Sequence, residues 1–249
     1  MSISSPDWRR STNSNSGPLQ TFYQSNVSSG YLLSEESKHA VKVLRLISGA
    51  EIQLADGKGN FYHARITSPN PNKCEFEILT STANPKRNFS IHLAIAPTKN
   101  ADRMEWMVEK CVEIGIEKIS FLLSKTSERK SINMERLEKI TVSAMKQSQQ
   151  AWLPEIVQIT SLQAFLKERP ETQKFIAHVD DQNPNLLQHL ASPRSDYVIL
   201  VGPEGDFTEE ELDVASSAHF KKVSLGPHRL RTETAGLVAV TALNQVNQE

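Results

Sequence analysis

Residues 197–208 read Tyr-Val-Ile-Leu-Val-Gly-Pro-Glu-Gly-Asp-Phe-Thr, and the acidic run Glu209-Glu210-Glu211 follows. A short apolar run bounded by turn residues predicts a buried strand over Tyr197–Val201. Thr208, with Glu211 three residues on, predicts a capping box and a helix over 209–219. Between them, Gly202 and Gly205 permit close approach of the backbone to a ligand, and Pro203 stiffens the bend. In open α/β sheets, ligands bind beyond the carboxyl ends of the strands, which is where this loop falls. A plain structural turn explains one glycine and the cap. It explains Glu204, held between Pro203 and Gly205, less well.

The same alternation continues on both sides. Ile91–Ala96, Ile119–Leu123, Phe175–Val179 and Val223–Leu225 predict further strands, while Asp102–Ile114, Met134–Gln149 and Thr234–Val246 predict helices. Asp102 and Glu105 read as a capping pair, with Met104, Met107, Val108 and Cys111 on one face. Strands alternating with helices imply a mostly parallel α/β sheet over residues 88–249.

Toward the N-terminus the elements shorten. Ser34 is expected to cap a helix that buries Ala40, Val41 and Leu44 and ends at Gly49. Strands follow at Glu51–Ala55, Phe61–Ile66 and Cys74–Leu79, the last with Phe76 and Ile78 on one face, and Asp56–Asn60 is a strong turn. These predict a small β-barrel over residues 21–85, with Thr80–Arg87 as linker. Residues 1–20 are serine-rich and poor in aliphatics, and read as a disordered extension, an expression scar or a targeting segment. No apolar region follows Arg9 and Arg10, so a secretory signal is not expected.

A second loop carries unusual chemistry: Leu225-Gly226-Pro227-His228-Arg229-Leu230-Arg231-Thr232-Glu233-Thr234-Ala235. Gly226-Pro227 forces a turn, and Thr232 or Thr234 can start the last helix. Two arginines at a helix N-terminus oppose the helix dipole, unless they face a carboxylate, a phosphate or Glu233. Composition narrows the field further. A net charge of −1 neither demands nor forbids a nucleic-acid partner. No run of about eighteen apolar residues predicts a membrane span. Cys74 and Cys111 stand far apart without a CxxC pair, so no zinc module, other metal site or disulfide framework is expected. They read as small buried hydrophobes in a reducing cytoplasm. No P-loop and no GxGxxG supports a nucleotide or dinucleotide reading.

At these two loops the sequence resembles the ribosomal RNA small subunit methyltransferase E family of the SPOUT superfamily. That family carries a Gly-Pro-Glu-Gly-Gly-Phe loop, here Gly202–Phe207, and a Leu-Gly-…-Leu-Arg-…-Glu-Thr-Ala loop, here Leu225–Ala235. His39-Ala40-Val41-Lys42-Val43-Leu44-Arg45 resembles its N-terminal His-x-Val-x-x-Leu-Arg segment. Lys99, Asp102, Arg103, Met104 and Glu105 resemble its Lys-x-x-Asp-Arg-Met-Glu stretch, and Lys146-Gln147-Ser148 its Glu-Gln-Ser. Two positions depart: Asp206 stands where Gly is frequent, and Lys146 where Glu is common.

The resemblance implies an N-terminal PUA-like barrel and a C-terminal SPOUT α/β domain tied in a trefoil knot. It implies a cytoplasmic homodimer that methylates N3 of a uridine in small-subunit (16S) ribosomal RNA, with S-adenosyl-L-methionine as cofactor. Val201, Gly202, Pro203, Glu204 and Gly205 would hold that cofactor together with Leu225, Gly226, His228 and Leu230, and His178 would stand nearby at a third strand end. Uridine N3 becomes a nucleophile only as its proton leaves, so Arg231 is the first candidate for stabilising charge on the base carbonyls. Glu233 would orient that arginine or accept the proton, and orientation suits an ordinary glutamate better. His39, Arg45, Lys99 and Arg103 would contact RNA phosphates. Other readings stay open here: a SPOUT enzyme with a different RNA target, and an RNA-binding protein whose α/β domain is catalytically silent.

Overall fold

The computed structural model describes residues 19–167, 170–178 and 185–248. The chain divides into two compact units, Met1–Asn84 and Pro85–Glu249. The first holds β1 (Thr21–Tyr23), α1 (Ser34–Lys38), β2 (Glu51–Ala55), β3 (Asn60–Ser68) and β4 (Glu75–Ala83). They form a sheet in the order β1-β2-β3-β4, with β1 parallel to β2 and the other pairs antiparallel. The alternation of Ile52 and Leu54 predicted their burial, and both are sealed into a core with Phe22, Leu32, Ala64 and Ile66. At the turn, the Asp56 carboxylate accepts hydrogen bonds from the Lys58 and Asn60 amides at 2.7 and 3.0 Å. Burial works against its charge, but the hydrogen bonds from Asn60 and Lys58 outweigh it and hold the carboxyl below its ordinary range.

Three expectations are corrected in this unit. Ser34 begins α1 rather than capping it; Leu33 holds the cap position and offers no side-chain acceptor. After Lys38 the helix widens into a π-turn over His39–Val43, and Arg45, at φ 54°, makes the left-handed exit expected of Gly49. Thr80–Ala83 continue β4 against Asn60–His63, since β-branched Thr80 and Thr82 suit a pleated ribbon, so the linker is shorter than expected. Ile78 lies opposite Ala64 yet is 46% exposed, because a methyl group gives it little to pack against.

The second unit runs β5 (Ser90–Ile95), α2 (Ala101–Ile114), β6 (Lys118–Leu123), α3 (Met134–Gln147), β7 (Glu155–Ser161) and α4 (Leu162–Leu166). It continues through β8 (Gln173–Ala177), α5 (Leu187–Leu190), β9 (Asp196–Val201), α6 (Glu209–Ser217), β10 (Lys221–Val223) and α7 (Thr232–Val246). All six strands are parallel, in the order β10-β8-β9-β5-β6-β7. β7, α4 and α5 were not anticipated. β10 starts two residues before the expected Val223, and α7 two residues before Thr234, with Arg231 at its cap. Val179, placed in a strand by the sequence, lies outside the described residues.

Asn100, not Asp102, caps α2, accepting from the amides of Asp102 and Arg103 at 2.8 and 3.4 Å. Asp102 instead occupies the first turn, where the helix dipole favours a carboxylate. Met104, Met107, Val108 and Cys111 are buried together, as their spacing predicts. Gly236 lets α7 lie close on the sheet: a Cβ there would sit 2.8 Å from Ile95 Cδ1. No helix among the described residues is long and apolar enough to cross a membrane.

Both cysteines are sealed in their cores. Burial pushes the Cys111 thiol up to about 12, and it raises Cys74 as well. Neither is therefore a thiolate at neutral pH. Iodoacetamide at pH 8 should label neither cysteine in the native protein and both in denaturant; rapid native labelling of Cys111 would contradict its burial.

Candidate functional site

β8, β9 and β10 lie side by side, with Ala177 in register with both Val201 and Val223. Their carboxyl ends therefore open on one edge of the sheet. The loops leaving them enclose a cleft of about 910 Å3, walled by Ala177, Val201, Val223, Leu225 and Leu230 and rimmed by Glu204, Asp206, His228, Arg229 and Arg231. Of the residues the sequence assigned to cofactor binding, His178, Val201, Gly202, Pro203, Glu204, Leu225, Gly226, His228 and Leu230 all line it.

Gly205 does not line the cleft. A Cβ on it would lie 3.3 Å from Thr126 Cβ, so its bareness admits the loop that follows β6. That loop braces the first cleft loop from behind. Thr126 Oγ1 donates to the Asp206 carbonyl at 2.7 Å, and the Lys125 amide donates to Glu211 Oε1 at 2.8 Å. Glu211 Oε2 closes the predicted capping box, accepting from the Thr208 amide at 2.9 Å. No sequence signal marked Thr126 or Lys125, because their partners stand 80 and 86 residues away. Glu211→Ala leaves two amides without their acceptor in a buried setting, at a cost of about 1–3 kcal/mol. Urea denaturation should show that loss; a change under about 0.5 kcal/mol would place the brace elsewhere.

Asp206 explains its own departure from the family pattern. Its φ is 61°, the left-handed region that glycine enters freely and that aspartate tolerates better than most residues. Its Oδ1 accepts from the adjacent Phe207 amide at 2.7 Å, which fixes the side chain. Its Oδ2 lies 2.9 Å from His178 Nδ1, a buried nitrogen that forms no hydrogen bond among the described residues. Lys146 is equally well accommodated, in the last turn of α3 where a cation suits the dipole.

The second loop crosses toward the first. Gly226 has φ 139°, a conformation closed to L side chains. Arg229 Nη2 donates to the Glu204 carbonyl at 3.1 Å and so ties the two loops together. Arg231 lines the cleft, is exposed, and pairs with no carboxylate among the described residues. Glu233 does not pair with it. Residues two apart at a helix start point in different directions. Glu233 is instead buried outside the cleft lining and meets Arg103 Nε at 3.7 Å. A residue expected to touch RNA is thus paired with one expected to act in catalysis.

Among the other expected RNA contacts, Lys99 is extended into solvent, with Glu128 3.5 Å from its Nζ. Arg45 is exposed, whereas His39 is half-buried and packs edge-on against the Phe22 ring at 6.2 Å. A further constellation has triad spacing: His92 sits 2.8 Å from Ser120 Oγ and 2.7 Å from Glu171. Ser120 is only 2% exposed, so no substrate carbonyl reaches it. The network satisfies buried polar groups.

A parallel sheet with a glycine-loop cleft at its strand ends, joined to a small sheet unit, matches a known class. Residues 85–244 match the RNA methyltransferase domain model, and residues 32–79 the RNA methyltransferase PUA domain model. The protein is an RNA methyltransferase. Among relatives, the Ribosomal RNA small subunit methyltransferase E of Rickettsia conorii is 32% identical over 218 residues, covering 86% of this chain and 88% of its own. A Porphyromonas gingivalis structure described as a probable rRNA-methyltransferase superposes with a TM-score of 0.86 at 40% identity, over 92% of this chain and 98% of that one. The Ribosomal RNA small subunit methyltransferase E of Neisseria gonorrhoeae, solved bound to S-adenosyl methionine, gives a TM-score of 0.82 at 30% identity, over 92% and 98%. The chain belongs to the ribosomal RNA small subunit methyltransferase E family.

Proposed function

We propose that this chain methylates N3 of a uridine in 16S ribosomal RNA of the small subunit, using S-adenosyl-L-methionine, as a cytoplasmic homodimer. The observation that carries the reading is the cleft at the ends of β8, β9 and β10, with an exposed arginine at its rim that pairs with no carboxylate among the described residues. The residues present fit the cofactor. Leu225, Leu230, Val201 and Ala177 supply apolar walls for an adenine ring. The main-chain groups of Leu225, His228 and Leu230 form no backbone hydrogen bond among the described residues, leaving donors and acceptors for a purine edge. A Cβ at Gly202 would lie 3.2 Å from the Phe207 ring, so its bareness lets the loop fold onto that ring, while a Cβ at Gly226 would meet no atom within 4 Å.

Once bound, the cofactor supplies an electrophilic methyl group on a sulfonium. The protein's task is to favour the deprotonated base. Arg231, at the α7 cap, would offer its guanidinium to the charge that gathers on the uracil carbonyls. Glu233 acts indirectly in this reading, fixing Arg103 as a positioning residue rather than taking the proton. Arg103 and Lys99, together with Arg45 and His39 of the first unit, supply the phosphate contacts. A PUA-like barrel (residues 21–85) and a SPOUT domain with a trefoil knot (88–249), as in the family, complete the reading. Methylation at N3 blocks Watson–Crick pairing. Reverse transcription of small-subunit RNA treated with enzyme and cofactor should therefore stop beside one uridine, and read-through with cofactor-competent enzyme would remove the N3 assignment.

A further inference from the structure

The cleft contains one carboxylate that the family's frequent glycine would not supply. Asp206 lines it, and its side chain is held by two neighbours: Oδ1 by the Phe207 amide at 2.7 Å, and Oδ2 facing His178 Nδ1 at 2.9 Å. The backbone is locked as well, through the Asp206 amide to the Pro203 carbonyl at 2.9 Å and the Thr126 hydroxyl to the Asp206 carbonyl at 2.7 Å. The contact with His178 is an ion pair only when the imidazole is protonated, and a neutral imidazole leaves the carboxylate's charge to a ligand in the cleft. Glu204 adds a second acidic group to the same loop, while His228, Arg229 and Arg231 stand on the facing loop. The cleft therefore has an acidic wall and a basic wall.

We infer that Asp206 makes this cleft discriminate by charge, favouring the cationic sulfonium cofactor over the neutral thioether that remains once the methyl group has left. The inference rests on the cofactor reading above. Substrate and product share an adenosyl group, an ammonium and a carboxylate, and they differ by the methyl and one positive charge. A fixed carboxylate in a partly solvated cleft senses that charge directly and does not sense the shared parts differently. It thereby weakens product inhibition without tightening every contact.

The test is calorimetric titration of S-adenosylmethionine and S-adenosylhomocysteine into wild-type, Asp206→Asn and Asp206→Gly proteins. Both substitutions suit the left-handed backbone, and asparagine keeps an acceptor for the Phe207 amide. The ratio of the two dissociation constants should move against the sulfonium by about two- to fivefold in each variant, the range for a partly exposed charge pair. Raising the salt concentration should erode the wild-type preference and change the asparagine variant's ratio less. An unchanged ratio, or equal loss of both ligands, overturns charge discrimination. If wild-type protein binds neither ligand, the cofactor reading itself falls.

Discussion

Replacing Arg231 by alanine lowers the methyl-transfer rate by about 10²–10³-fold, the loss seen when one preorganised donor is removed from developing charge. Cofactor affinity changes by less than about threefold, since the cofactor contacts proposed lie on the apolar walls and main chain. The geometry explains the split. Arg231 sits at the cap of α7 and pairs with no carboxylate among the described residues, so none of them compensates its charge. A cation there opposes the dipole of α7, and that cost is tolerated because the site needs it. Arg231→Lys keeps the charge but not the planar fork, and should recover part of the rate. Single-turnover kinetics with saturating cofactor measures this directly; an unchanged rate in the alanine variant removes Arg231 from catalysis.

Gly226→Val has the second largest effect, and it falls on cofactor binding. A β-branched residue cannot hold φ 139°, so the loop must rearrange. Local strain of about 1–3 kcal/mol corresponds to a loss of about 5- to 150-fold in affinity if binding requires the native loop. Global stability should change less, because a Cβ at Gly226 meets no atom within 4 Å and the cores are untouched. Titration calorimetry beside thermal melting separates the two: full cofactor affinity in the valine variant would show that the loop binds in another shape.

Much of this architecture is readable from local signals. The run Tyr197–Val201, the glycines after it and the Thr208–Glu211 box are all local, and they placed β9, its loop and α6. The loop after β10 was readable as a site because it carries chemistry a turn does not need. Contacts made at a distance were hidden. Glu233 meets Arg103 through folding of α2 against α7, and no helical spacing links them. Thr126 braces Asp206 across 80 residues. β7 escaped notice because its side chains are half-buried or exposed at a sheet edge, which blurs the alternation. Asn100 was passed over for Asp102 because both residue types cap helices, and only the fold shows which side chain turns back onto the amides.

The central claim is the identity of the modified atom, and nucleoside analysis tests it most directly. Small-subunit ribosomal RNA, free and assembled into subunits, is incubated with the protein and methyl-labelled S-adenosylmethionine, digested to nucleosides and separated by chromatography. Label is expected in 3-methyluridine alone, with the Arg231→Ala protein giving almost none. Label in a ribose-methylated or carbon-methylated nucleoside, or in transfer RNA in preference to small-subunit RNA, would contradict it.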